Sequence, residues 1–112
     1  MNVTERTVGD IAIVAVEGRL DANTSGVLES KFVQLVEQGQ TKFVFDLSQL
    51  DYVSSAGLRI LLVAAKKLKA LKGSLALIEM TDNVRDVFDM SGFSAIFSIY
   101  ATEAEATQAL SE

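Results

Sequence analysis

Apolar residues recur along this chain in two alternating rhythms. Val3 and Thr7 bracket polar residues, and Ile11-Ala12-Ile13-Val14-Ala15-Val16 is an unbroken apolar run rich in β-branched side chains. Residues 3–7 and 11–17 therefore predict two strands joined by a tight turn at Gly9-Asp10. The first is polar enough for a sheet edge; the second, apolar on both faces, belongs in the middle. Gly18-Arg19-Leu20-Asp21 ends that strand, and Asp21 or Asn23 offers a side-chain oxygen to cap a helix. The helix runs to about Glu37, with Val27, Leu28, Phe32, Leu35 and Val36 as its buried face and Gly39 as its closing residue.

The same rhythm continues. Lys42 to Leu47 predicts a buried strand, followed by an ordered loop anchored by Leu47, Leu50 and Val53. A helix from about Ser55 to Leu71 turns Leu58, Leu61, Leu62, Ala65 and Leu68 to one side, and Gly73 stops it. Ser74 to Glu79 is the next buried strand; a Thr81 or Asp82 cap then opens a helix through Val84, Val87 and Phe88 to Met90, ended by Gly92. Ile96 to Tyr100 is a last strand, and Thr102-Glu103 opens a short helix with Ala106 and Leu110 inward. The order β-β-α-β-α-β-α-β-α implies one α/β domain over residues 1–112, with a mostly parallel central sheet of about five strands, an antiparallel N-terminal edge strand and four helices.

Composition narrows the chemistry more than the fold. The 112 residues contain neither Cys nor His, which removes the thiol nucleophile, the commonest general base and the commonest zinc ligands. A net charge of −5 argues against a nucleic-acid module. No signal-peptide pattern is present, and the longest helix-like apolar run is broken by Lys66 and Lys67, so the expectation is a soluble, cytoplasmic protein without a membrane span, cofactor or metal. Charge is segregated: Arg59, Lys66, Lys67, Lys69 and Lys72 all fall on the second long helix, and no acid occurs between Tyr52 and Ile78. Lysine at a helix C-terminus complements the dipole, which explains Lys69 and Lys72 but not Arg59.

The polar loops after the strands carry the candidate chemistry, because open α/β sheets bind ligands and partners beyond the carboxyl ends of their parallel strands. Asp21, Asn23, Asp46 and Ser55 share one surface if the first two long strands are neighbours. Ser54-Ser55 opens the second long helix, where N–H groups point outward unpaired and the dipole favours negative charge, a prepared place for a phosphate. One of the two serines is accounted for as an N-cap; Ala56-Gly57, small residues in the first turn, leave the backbone open to approach. Arg59 lies one turn beyond Ser55, in reach of a carboxylate or a phosphate. No Gly-rich nucleotide motif is present. A serine hydrolase would need a base, for which only Asp or Lys could serve without His, and Asp21, Asp46 and Asp51 read as caps and turn residues more readily than as ligands for a hard cation.

Four segments in register, Gly18-Arg19-Leu20-Asp21, Phe45-Asp46-Leu47-Ser48, Tyr52-Val53-Ser54-Ser55-Ala56-Gly57-Leu58 and Phe88-Asp89-Met90-Ser91-Gly92-Phe93, resemble the STAS domains of bacterial anti-sigma factor antagonists across essentially the whole chain. The resemblance implies a regulator without catalysis of its own. Unphosphorylated, such a protein binds a partner that is both anti-sigma factor and serine kinase; phosphorylated on a serine at the helix N-terminus, it is released, and a serine phosphatase resets it. The family's acceptor falls on Ser55. The family often has Asp where this chain has Ser54, which makes Ser54 an alternative acceptor. Asp21, Asn23, Thr24, Ser54, Ser55, Ala56, Gly57 and Arg59 form the expected partner surface of a monomer or weak dimer. The other STAS role is an unphosphorylated scaffold or a subunit of a signalling or lipid-transport complex.

Overall fold

A computed structural model describes residues 1–111. Its elements are β1 (Asn2–Val8), β2 (Ile11–Leu20), α1 (Ser25–Glu37), β3 (Lys42–Asp46), β4 (Leu50–Val53), α2 (Ser55–Ala70), β5 (Ser74–Ile78), α3 (Asp82–Ser91), a 3-10 turn (Phe93–Ala95), β6 (Ser98–Tyr100) and α4 (Glu103–Leu110). The sheet runs β1-β2-β3-β5-β6, with β1 antiparallel to β2 and the other neighbours parallel. This is the predicted α/β architecture with one strand more than expected.

The extra strand is β4, which the sequence suggested was a loop. It pairs in parallel with the far end of β2, Gly18 with Leu50 and Leu20 with Val53. Accordingly β2 does not end at Gly18. It runs ten residues, giving its first half to β3 and its last three residues to β4. Gly18 sits at φ +100°, a conformation that an L-residue with a side chain resists, and the β2–β4 pairing shifts register between Gly18 and Arg19, which pair with Leu50 and Tyr52.

The sheet buries both faces, as a continuous apolar run in β2 requires. On one face, Leu28, Phe32 and Leu35 of α1, Leu58, Leu61, Ala64 and Leu68 of α2, and Val84 and Phe88 of α3 pack on Val14, Val16, Phe43, Phe45 and Leu77. On the other, Ala106 and Leu110 of α4 cover Ile11, Ile13, Val44, Ala76 and Ile78. The helical faces follow the expected stripes with three adjustments: Val27 is half exposed, Val36 is only partly buried, and in α2 Ala64 is buried while Leu62 and Ala65 lie at the margin.

Helix ends differ in detail from expectation. Gly39 closes α1 through a Schellman motif, its N–H on Val36 O and that of Gln40 on Leu35 O. At the end of α2 the left-handed residue is Lys72, at φ +61°, not Gly73. Gly73 is needed for a different reason, since a Cβ there would lie 2.1 Å from Thr41 O. Thr81 caps α3 and Gly92 ends it in the left-handed region; Thr102 and Glu105 form a reciprocal capping box on α4.

Candidate functional site at the N-terminus of the second long helix

The β2–β4 pairing builds this site. Because Val53 pairs with Leu20, the next residue, Ser54, donates its N–H to Leu20 O at 2.9 Å, which sets the start of α2 beside the loop that leaves β2. Ser54 is the N-cap: its Oγ accepts from Gly57 N at 3.3 Å and its backbone O from Leu58 N at 2.9 Å. Ser55, the first helical residue, is exposed, and its hydroxyl makes no hydrogen bond among the described residues. The two adjacent hydroxyls are thus unequal. Ser54 is half-buried and engaged; Ser55 is free.

Gly57 is buried, contrary to the expectation that it leaves backbone open at the surface. A Cβ on it would stand 2.6 Å from Leu20 O, 2.8 Å from Leu20 Cγ and 2.9 Å from Val53 Cγ2. The glycine therefore lets α2 sit directly on the β2–β4 seam, and it contributes no surface of its own. Ala56 is half-buried beside Ser55, and Arg59 is exposed one turn on, with no ion pair among the described residues.

The neighbouring loop is rigidified by its own side chains. Asp21 does not cap α1; that position is Thr24. Instead Asp21 Oδ1 accepts from the N–H of Asn23 at 3.0 Å and of Thr24 at 3.2 Å, an Asx turn that leads into the helix. The Thr24 hydroxyl donates to Arg19 O at 2.7 Å and accepts from Asp21 N at 3.0 Å. Desolvation alone would push the Asp21 carboxyl up, but the hydrogen bonds from Asn23 and Thr24, helped by the Arg19 charge, hold it below the usual carboxylate range. Asn23 is exposed.

Asp46 leaves the predicted cluster. Two residues after Val44, it turns to the α4 face, where its charge acts on Arg6, and its Oδ1 accepts from Ser48 N at 3.0 Å. Asp51 is exposed on β4, and no group of carboxylates able to hold a metal ion occurs among the described residues. Two further residues join the site, Arg19 and Tyr52, which are register partners across β2 and β4. The Arg19 guanidinium lies 4.3 Å from the Tyr52 ring centroid and its Nε 3.7 Å from Asp21 Oδ2. Only the β4 pairing brings them together, so a reading without β4 had no signal for them.

The surface is thus an exposed hydroxyl on a positive helix end, flanked by a preformed acidic turn and a stacked Arg–Tyr pair. No helix of the described residues is long and apolar enough to cross a membrane.

Comparison with known proteins bears on the family and the fold. The STAS domain family model matches residues 2–106. A candidate anti-sigma factor antagonist of Bordetella bronchiseptica, BtrV, is 38% identical over 109 residues, covering 97% of this chain and 93% of its own length. The crystal structure of a candidate anti-sigma factor antagonist of Thermotoga maritima superposes with a TM-score of 0.92 at 21% identity, over 98% of this chain and 95% of that one. The anti-sigma factor antagonist SpoIIAA in its unphosphorylated form superposes with a TM-score of 0.80 at 25% identity, over 95% and 93%. Its phosphorylated form gives 0.73 at 23%, over 96% and 97%.

Proposed function

The chain belongs to the STAS domain family, and on that premise we propose that it is an anti-sigma factor antagonist switched by phosphorylation of Ser55. The unmodified protein binds an anti-sigma factor that is also a serine kinase, through Ser55 and the neighbouring Asp21, Asn23, Thr24, Ser54, Ala56 and Arg59; the phosphorylated protein is released, and a serine phosphatase restores it. The chain performs no catalysis itself. The relatives named as anti-sigma factor antagonists, and SpoIIAA with its two phosphorylation forms, support this reading.

The observation that carries it is the inequality of the two serines. Ser54 Oγ is held in the cap, whereas Ser55 Oγ is exposed and unbonded among the described residues. A phosphate on Ser55 adds about −1.5 to −2 charges at neutral pH. On the free domain that charge sits at a helix N-terminus, whose dipole and orphan N–H groups favour it, so the fold tolerates the modification. At a docked interface the same dianion has to be desolvated beside the ionised Asp21, and a hundredfold loss of affinity needs only about 2.8 kcal/mol.

The test is phosphotransfer. The protein is incubated with candidate anti-sigma kinases and ATP, and phosphate is located by mass spectrometry in wild type, Ser54→Ala and Ser55→Ala. Incorporation is expected in the first two and absent in the third. Phosphate on Ser54 in the Ser55→Ala protein, at the wild-type rate, would move the acceptor. A Ser55→Glu protein that binds the anti-sigma factor as tightly as wild type would refute the electrostatic release.

A further inference from the structure

The ten basic residues divide by location. Arg6, Arg19, Lys31, Lys42 and Arg85, all outside α2, each pair with a carboxylate. Arg59, Lys66, Lys67, Lys69 and Lys72, on α2 and its C-terminal cap, make no ion pair among the described residues. All fifteen acids lie outside the stretch from Tyr52 to Ile78. The free cations of an acidic protein are therefore concentrated on one element.

Three of the five lie on a single side of the helix. Ser55, Arg59, Leu62, Lys66 and Lys69 follow at intervals of four, three, four and three, which places them in one stripe along α2, and every one is exposed or half-exposed. The stripe extends roughly 21 Å from the switch serine, at 1.5 Å per residue. It ends in an open groove of about 590 Å³ between α2 and the 3-10 turn with β6. Lys66, Lys69 and Lys72 rim the groove, and its walls include Leu62, Leu75, Phe97 and the half-exposed Ile96. Complementing the helix dipole accounts for Lys69 and Lys72. It accounts neither for Lys66 and Arg59, further up the helix, nor for an apolar wall beneath the cations.

We propose, resting on the reading of Ser55 as the switch surface, that the docking footprint of the same anti-sigma factor continues down α2 and that the groove seats an acidic, amphipathic segment of that partner. Its carboxylates face Lys66, Lys69 and Lys72 while its apolar side chains lie on Leu62 and Ile96. The charge complement steers encounter, so its effect falls mainly on the association rate and weakens with salt.

The experiment measures binding of the anti-sigma factor identified by phosphotransfer, at 50 and 250 mM NaCl as conditions bracketing physiological screening. The groove variant is Lys66→Gln, Lys69→Gln, Lys72→Asn; Asn tolerates the left-handed backbone at that last position. Lys67→Gln is the control, because Lys67 lines a different cleft between α1 and α2 with Glu29. The groove variant is expected to bind about tenfold more weakly at low salt, mostly through association, with a flatter salt dependence; Lys67→Gln should stay within about twofold. Wild-type affinity and salt slope in the groove variant, with Ser55→Glu released normally, overturn the groove and leave the switch standing. The converse, a weakened groove variant with Ser55→Glu bound normally, overturns the switch and leaves the groove. A fluorescein-labelled peptide of repeated Glu-Glu-Leu-Leu units is the direct probe, expected to shift the amide resonances of Lys66, Lys69 and Ile96. Lysine-dependent sedimentation with phosphatidylglycerol vesicles and no peptide binding would assign the groove to a membrane surface and overturn the protein partner.

Discussion

Replacing Gly57 with Ala sets two effects against each other. Alanine is the better helix former by roughly 1 kcal/mol, and nothing in the backbone of Gly57 resists a side chain, since its φ is ordinary. Packing opposes this. The new methyl meets Leu20 O at 2.6 Å, and that oxygen is fixed both by its strand and by the Ser54 N–H it accepts. Leu20 Cγ and Val53 Cγ2, within 3 Å, belong to side chains with almost no exposure. Overpacking of a filled core costs typically ~1–3 kcal/mol, and a backbone atom as the obstacle puts this case at the upper end. The net expectation is a loss of about 2 kcal/mol, or a fall of about 1 M in the urea midpoint of a domain this size. The control is Gly26→Ala, at an exposed position in the first turn of α1 where a Cβ meets nothing within 4 Å; there propensity acts alone and stability should rise by up to ~0.5–1 kcal/mol. Because relief of the clash lifts α2 from the β2–β4 seam, Gly57→Ala should also slow Ser55 phosphorylation while Gly26→Ala leaves it unchanged. A Gly57→Ala midpoint equal to or above wild type would refute the packing argument.

Three further substitutions probe the same frame. Gly73→Ala places a Cβ 2.1 Å from Thr41 O, so its loss in urea denaturation should exceed that of Gly57→Ala. Ser54→Ala removes the only side-chain cap on α2 and should cost ~1 kcal/mol by the same assay, while mass spectrometry still finds phosphate on Ser55. The Asp21 carboxyl titrates below its ordinary value in the folded protein, so its stabilisation is complete above the unfolded-state pKa of about 4 and disappears as pH falls through the lower folded value. Asp21→Asn keeps the turn's acceptor but loses the charge; its melting temperature should lie below wild type at pH 6 and converge with it on acidification, and a gap that stays constant with pH would contradict the charge term.

What the sequence made legible, and what it hid, divides along the same seam. The long elements announced themselves because burial repeats: α1 and α2 bury three or more apolar residues at helical spacing, and β2, β3 and β5 are apolar on both faces. Strand β4 had no such signature. Its four residues bury only the first and last, and the two between them, Asp51 and Tyr52, are both exposed, so neither alternation nor a continuous apolar run marks it. Its status as a strand comes from a partner thirty residues away, the extension of β2 past Gly18, which a local pattern does not register. The site inherits that division. Ser54 and Ser55 are local features of a helix start and were visible as such, whereas the role of Gly57, the Arg19–Tyr52 stack and the departure of Asp46 to the α4 face follow from long-range pairing. The consequence reaches the proposed switch: which hydroxyl is left free depends on which serine the helix takes as its cap, and the Ser54 N–H bond to Leu20 O, a product of β4 pairing, holds Ser54 in that place. A change on β2 or β4 that loosens this bond, with no contact to Ser55, should therefore blur the distinction between the two serines before it unfolds the domain.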